Sequence, residues 1–273
     1  VFVSHGTGGS VLGHADLLVA LARAGYVVVA LEHPGDNYRD RSLVGDTRYF
    51  SERPAQLLAL LRAFLDRDGA AGGAAGGLLG DVRIDATRVS LIGHSAGGYT
   101  AAVVAGATGN AQRVVEHCAA NAGADPMCAL ADPTWSVAPG MAGAPYRLAP
   151  DAPMPALATD SRVRAAILLA PLTVPLQPAS VASLAPALLV ITAAGDELLA
   201  PRFHGAPWPA MAPRAAIEVD PRAGHYSFMT STPPERRAML AQAGTDPAGL
   251  DREQFQRELA TRIIGFLERA TGR

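Results

Sequence analysis

The amino-acid sequence predicts an α/β fold, with a mainly parallel sheet and helices on both faces. Short apolar runs rich in β-branched residues alternate with segments of helical periodicity, the pattern of repeated strand–helix–strand crossovers. Several of those runs are apolar throughout, as strands covered on both faces must be. The chain has 273 residues, of which 49% are hydrophobic, enough for one domain with a sizeable core. Residues 1–273 are therefore expected to form a single domain.

Residues 1–4 read as a strand running into a Gly-rich turn, and 14–24 as a helix stopped by Gly25. The run 26–31 (YVVVAL) reads as a strand buried on both faces. Residues 51–67 follow as a helix, with Pro54 in its first turn, where its missing N–H costs nothing. A strand at 88–92 leads into a helix at 96–105; further strands are expected at 163–169, 187–192 and 215–219. An amphipathic helix at 251–270 closes the chain. Two segments break the alternation. Residues 68–80 are almost all Gly and Ala and are expected to be a flexible surface loop. Residues 110–160 are long, irregular and rich in Pro, Met and Asp, as expected of an inserted cap or lid.

Composition excludes some functions. Charged residues make up 18% of the chain, with a formal net charge of -2. A phosphate-tracking surface needs clustered positive charge, so nucleic acid is not an expected partner. All 23 basic residues are Arg, which fits the Ala, Gly and Pro bias of the chain. No apolar run reaches the roughly 20 residues that a membrane-spanning helix needs, so no stable membrane insertion is expected.

The chemistry is concentrated in three places. Gly93-His94-Ser95-Ala96-Gly97-Gly98 follows a strand and opens a helix, the context in which G-x-S-x-G lifts a serine hydroxyl above a sheet edge. Ser95 is the expected nucleophile. His5-Gly6-Thr7-Gly8-Gly9 follows the first strand. Acyl transfer needs two backbone donors for the tetrahedral oxyanion; the N–H groups of Thr7 and Ala96 are assigned to them. His5 is expected to order that loop. After the strand ALLVIT comes Asp196, where an orienting carboxylate belongs, with Glu197 and then Asp220 as fallbacks. After the last strand comes Gly224-His225, which makes His225 the expected base. His14, His33, His117 and His204 are weaker candidates.

Alternatives remain beside each assignment. Gly6-x-Gly8, with Glu32 ending the next strand, could begin a dinucleotide site, but the third glycine of that motif is replaced by Val11. A catalytically silent fold used for binding is a second rival; it has no need of Ser, His, Asp and an oxyanion loop together. Cys118 and Cys128 are either reduced thiols or a local disulfide. With His117 they offer too few donors for a metal site. Met127, Trp135, Met141 and Tyr146 either line the acyl pocket or pack the insertion onto the core.

Together these motifs resemble the α/β-hydrolase superfamily over nearly the whole chain. HGTGGS with the downstream LEHPGDN, GHSAGG and the insertion bearing Cys118 and Cys128 look like the group of predicted dienelactone hydrolases related to platelet-activating-factor acetylhydrolases. True dienelactone hydrolases use a Cys nucleophile, and this chain has Ser. The resemblance implies an ester-cleaving serine hydrolase acting on a small molecule through an acyl-enzyme, with no metal or organic cofactor. An amidase, peptidase or polyester hydrolase would share the same triad. It also implies strands ahead of residue 1 and hence a truncated or processed chain. Members are often exported, which favours a Cys118–Cys128 disulfide and a periplasmic or secreted location over the cytoplasm.

Overall fold

A computed structural model describes residues 1–70, 82, 84–131, 157, 159–237, 240 and 243–272. Its strands are β1 (Phe2–Ser4), β2 (Val29–Leu31), β3 (Val89–His94), β4 (Val163–Leu169), β5 (Ala187–Ala193) and β6 (Ala216–Asp220). They form one 6-stranded sheet in the order β2-β1-β3-β4-β5-β6, with every pairing parallel. The larger helices are α1 (Ala15–Arg23), α2 (Tyr49–Ala70), α3 (Ala96–Val104) and α4 (Ala111–Asn121). Short helices α5 (Pro178–Ala182), α6 (Pro201–His204), α7 (Trp208–Met211) and α8 (Pro234–Arg237) precede the long α9 (Arg252–Thr271). No described helix is long and apolar enough to cross a membrane.

The period of two along each strand divides the core. On β4, Ala166 and Leu168 face one side, joined by Val163 across a register shift at the start of the strand, where α2 packs with Leu57, Leu61 and Leu65. Ala165, Ile167 and Leu169 face the other, against Leu17 and Leu21 of α1 and Phe255, Leu259, Ile263 and Leu267 of α9. The four-residue spacing on α9 keeps one apolar stripe on the sheet. Asp251 caps its start by accepting from the Gln254 N–H at 3.0 Å, and Gly272, in the left-handed region at φ 69°, ends it.

Local differences from the sequence expectations have physical causes. Tyr26 was expected to open a strand, but its N–H bonds the Leu21 carbonyl at 3.1 Å, closing the end of α1 beyond Gly25. β2 is an edge strand and only half-buried, not covered on both faces. α2 begins at Tyr49, two residues early, so Pro54 lies past the first turn. A proline there leaves the carbonyl four residues back without its helical donor; the Tyr99 hydroxyl donates to that carbonyl, of Phe50, at 2.9 Å. At the start of the 110–160 segment the described residues are regular: Asn110 caps α4, and a 3-10 turn spans Pro126–Ala131. Cys118 and Cys128 are joined in a disulfide between them. Most of 68–80 and of 132–158 lies outside the described residues, and with it Trp135, Met141 and Tyr146.

Candidate active site

The site lies at the carboxyl edge of the sheet, where β1, β3, β5 and β6 deliver their following loops. β3 ends in the turn that carries Ser95, which has φ 58° and ψ -120°. A non-glycine residue in this region is strained and persists only where its surroundings enforce it. Glycines allow the enforcement. A Cβ on Gly93 would stand 1.9 Å from the Gly97 carbonyl oxygen, and one on Gly97 would stand 2.0 Å from the Ser4 carbonyl oxygen. The Ser95 N–H continues the ladder to the Leu169 carbonyl at 2.9 Å, so the bend is attached rigidly to the sheet. As the first residue of α3, Ala96 has no helical acceptor for its N–H.

His225 begins a 3-10 turn beyond β6 and is buried. Its Nδ1–H donates to Asp196 Oδ2 at 2.8 Å, which leaves Nε2 as the acceptor nitrogen. Asp196 Oδ1 is fixed in turn by the N–H groups of Leu198 at 3.0 Å and Leu199 at 2.7 Å. The two fallback acids have other partners. Glu197 accepts from the His225 backbone N–H at 2.8 Å, and Asp220 is taken up by Arg222 and Arg262. Ser95 and His225 line one cleft with Gly6, Thr7 and Gly8. Leu198, Met229, Leu240, Ala243 and the half-exposed Tyr38 supply its apolar walls.

The remaining histidines are structural by their bonds. His5 Nδ1 donates to the Gly6 carbonyl at 2.7 Å, and its Nε2 accepts from the His33 N–H, so it orders the loop between β1 and α1. His33 bridges Ser4 Oγ and Gln56 Oε1, both at 2.8 Å. His14 Nδ1 donates to the Phe228 carbonyl, and His94 Nε2 to the His225 carbonyl, each at 3.0 Å. Burial, which disfavours the charged ring, brings His5 down to about 3 and His14 to about 4. The same desolvation, aided by His225, holds His94 well below the usual imidazole range. These rings are neutral at neutral pH and weakly basic. Away from the cleft, Asp125 accepts from His117 at 2.8 Å and His204 at 2.9 Å.

Some expectations are redirected. Met127, weighed as an acyl-pocket residue, packs into the larger core cluster and does not line the cleft. Glu32, the ribose ligand of the dinucleotide alternative, instead accepts from the Val11 N–H at 2.9 Å. Among the described residues no group of three or more His, Cys, Asp and Glu side chains is placed to hold a metal.

Sequence reading missed three residues that build this site. His94 is the variable position of G-x-S-x-G, yet it reaches across to the His225 carbonyl. Asp36 lies in the HPGDN segment and Arg53 in α2; they form a fully buried ion pair under the glycine loop. Their own neighbourhoods in the sequence carry no signal of this pairing.

Residues 1–240 match the family described as Alpha/beta hydrolase family, and the chain belongs to that family. No curated protein matches it.

Proposed function

We propose that this member of the alpha/beta hydrolase family is a serine esterase that cleaves carboxylic esters through an acyl-enzyme. The observation that carries this is the 2.8 Å bond from His225 to Asp196 beside a serine at positive φ in the same cleft. In this mechanism Ser95 Oγ attacks the ester carbonyl carbon while His225 Nε2 takes its proton. Asp196 holds the tautomer and stabilises the imidazolium. The N–H groups of Thr7 and Ala96 receive the oxyanion. Collapse expels the alcohol, protonated by His225. Water then attacks the acyl-enzyme with His225 as base, releasing the acid and restoring Ser95.

The apolar walls favour an ester with a hydrophobic portion. HGTGGS, LEHPGDN and GHSAGG support assignment to the dienelactone-hydrolase-like group. The Cys118–Cys128 disulfide supports an oxidising compartment, periplasmic or extracellular.

Initial rates on p-nitrophenyl esters of increasing acyl length test the reading. Wild type should turn over with a clear optimum, and Ser95→Ala should fall to the buffer rate. Wild type at the buffer rate on every ester would refute it. Asp196→Asn should lose about 10⁴ in kcat while staying folded, by the tautomer effect; near-normal activity would move the acid to Glu197.

A further inference from the structure

We infer that the buried Arg53–Asp36 pair is a positioning device that sets the two oxyanion donors at their proper separation. The inference rests on the esterase reading, because it concerns the same hole.

The donors come from chain segments that share no covalent path shorter than most of the first hundred residues. Thr7 sits in the loop after β1, and Ala96 opens α3. Each can be registered to the sheet by itself, but the oxyanion needs both at once, within hydrogen-bond reach of one point. The pair touches both segments. Asp36 Oδ1 accepts from the Gly8 N–H at 2.7 Å, on the residue next to Thr7. Arg53 donates to Asp36 and to the His5 carbonyl, two residues before Thr7. The Thr7 hydroxyl is itself bonded to Tyr49 Oη at 2.5 Å, and the Arg53 guanidinium lies 5.5 Å from the centre of that ring. On the other side, Arg53 Nε donates to Thr100 Oγ1 at 3.3 Å, and that hydroxyl donates to the Ala96 carbonyl at 2.9 Å. One guanidinium therefore ties residues 5 and 36 to the first turn of α3.

Stability alone is a poor reason for this arrangement. Both side chains are 0% exposed. Burying an ion pair incurs a desolvation penalty that its attraction often only balances, and apolar replacements are commonly as stable. What an ion pair provides and apolar packing does not is direction. Its charges orient a carbonyl and an N–H on the glycine loop, where Gly8, at φ 64°, has no side chain of its own to pack.

Thr100→Val is the decisive variant, because it removes the hydroxyl link at nearly constant shape; Asp36→Asn is the second. First, wild type must hydrolyse p-nitrophenyl esters; if it does not, the esterase reading fails and this one with it. Given an active wild type, Thr100→Val, shown folded by circular dichroism, should lose about tenfold or more in kcat with KM changed less than about threefold. A trifluoromethyl ketone, which forms a tetrahedral adduct on the serine, should bind it more weakly by a similar factor. Asp36→Asn should behave alike where it folds, and Thr100→Val decides where it does not. A merely structural pair would lower the melting temperature and leave kcat and ketone affinity of the folded variant at wild-type values; that result would overturn the inference.

Discussion

At Ser95 the backbone is held by what its neighbours lack, whereas at His225 it is held by what its neighbours donate. Gly93 and Gly97 leave room for main chain to touch main chain at distances no Cβ would tolerate. At the turn that carries His225 the tight approach is to a side chain: a Cβ on Gly224 would stand 2.7 Å from Glu197 Oε2. The carbonyls of this turn are taken one after another by side chains from elsewhere: His225 by His94, Tyr226 by Arg252, Ser227 by Gln256, Phe228 by His14 and Met229 again by Gln256. Sterics fix the strained Ser95 turn; hydrogen bonds fix the turn of His225, the proposed base. The glycines of the first device stand beside Ser95 in sequence, whereas the donors of the second come from residues 14, 94, 252 and 256.

Gly97→Ala should break the Ser95 side most completely. Its Cβ would meet Ser4 backbone, which cannot rotate away, so the expected loss is about 3 kcal/mol or more, read as failure to fold or a large drop in urea midpoint. On the histidine side, His94→Phe should keep the fold but leave the His225 carbonyl without its donor. About 1–3 kcal/mol of stability should go, with kcat falling roughly tenfold to a hundredfold as the imidazole drifts. Wild-type kcat in that variant would show that the loop needs no donor there.

Acid should separate the two regions more gently. His5, His14 and His94 have folded values below the ordinary 6.5, so below that pH the unfolded chain binds more protons than the folded one. Stability is therefore full above about pH 6.5 and falls as pH drops toward 4, by up to about 1.4 kcal/mol per pH unit for each histidine. Urea midpoints against pH measure this, and His14→Gln should flatten the slope. At the small end, Gly265 lies inside α9 with only the flexible end of Arg269 near its missing Cβ. Gly265→Ala should raise stability by about 0.5–1 kcal/mol, the opposite sign to Gly97→Ala.

The same contrast explains what could be read from the sequence. The strand–helix alternation and G-x-S-x-G are local patterns, so the parallel sheet and the Ser95 turn were legible. That Asp196 and His225 meet, at 2.8 Å, was legible by chain order and by the strands before them. His94, Arg53, Asp36, Arg252 and Gln256 act on residues dozens of positions away, and nothing in their own neighbourhoods announces it. Pro54 misled for a related reason: its tolerance inside α2 depends on a tyrosine hydroxyl from α3. Met127 was left between two readings because an apolar residue in an insertion satisfies a pocket wall and a core equally well, and its contacts are those of the core.

A fluorophosphonate followed by peptide mass spectrometry tests the shared site most directly. One adduct is expected, on the peptide bearing Ser95, formed quickly in wild type, absent in Ser95→Ala and slowed by orders of magnitude in folded His225→Ala. An adduct on another residue, or an undiminished rate without the imidazole, would mean that these two side chains do not work together.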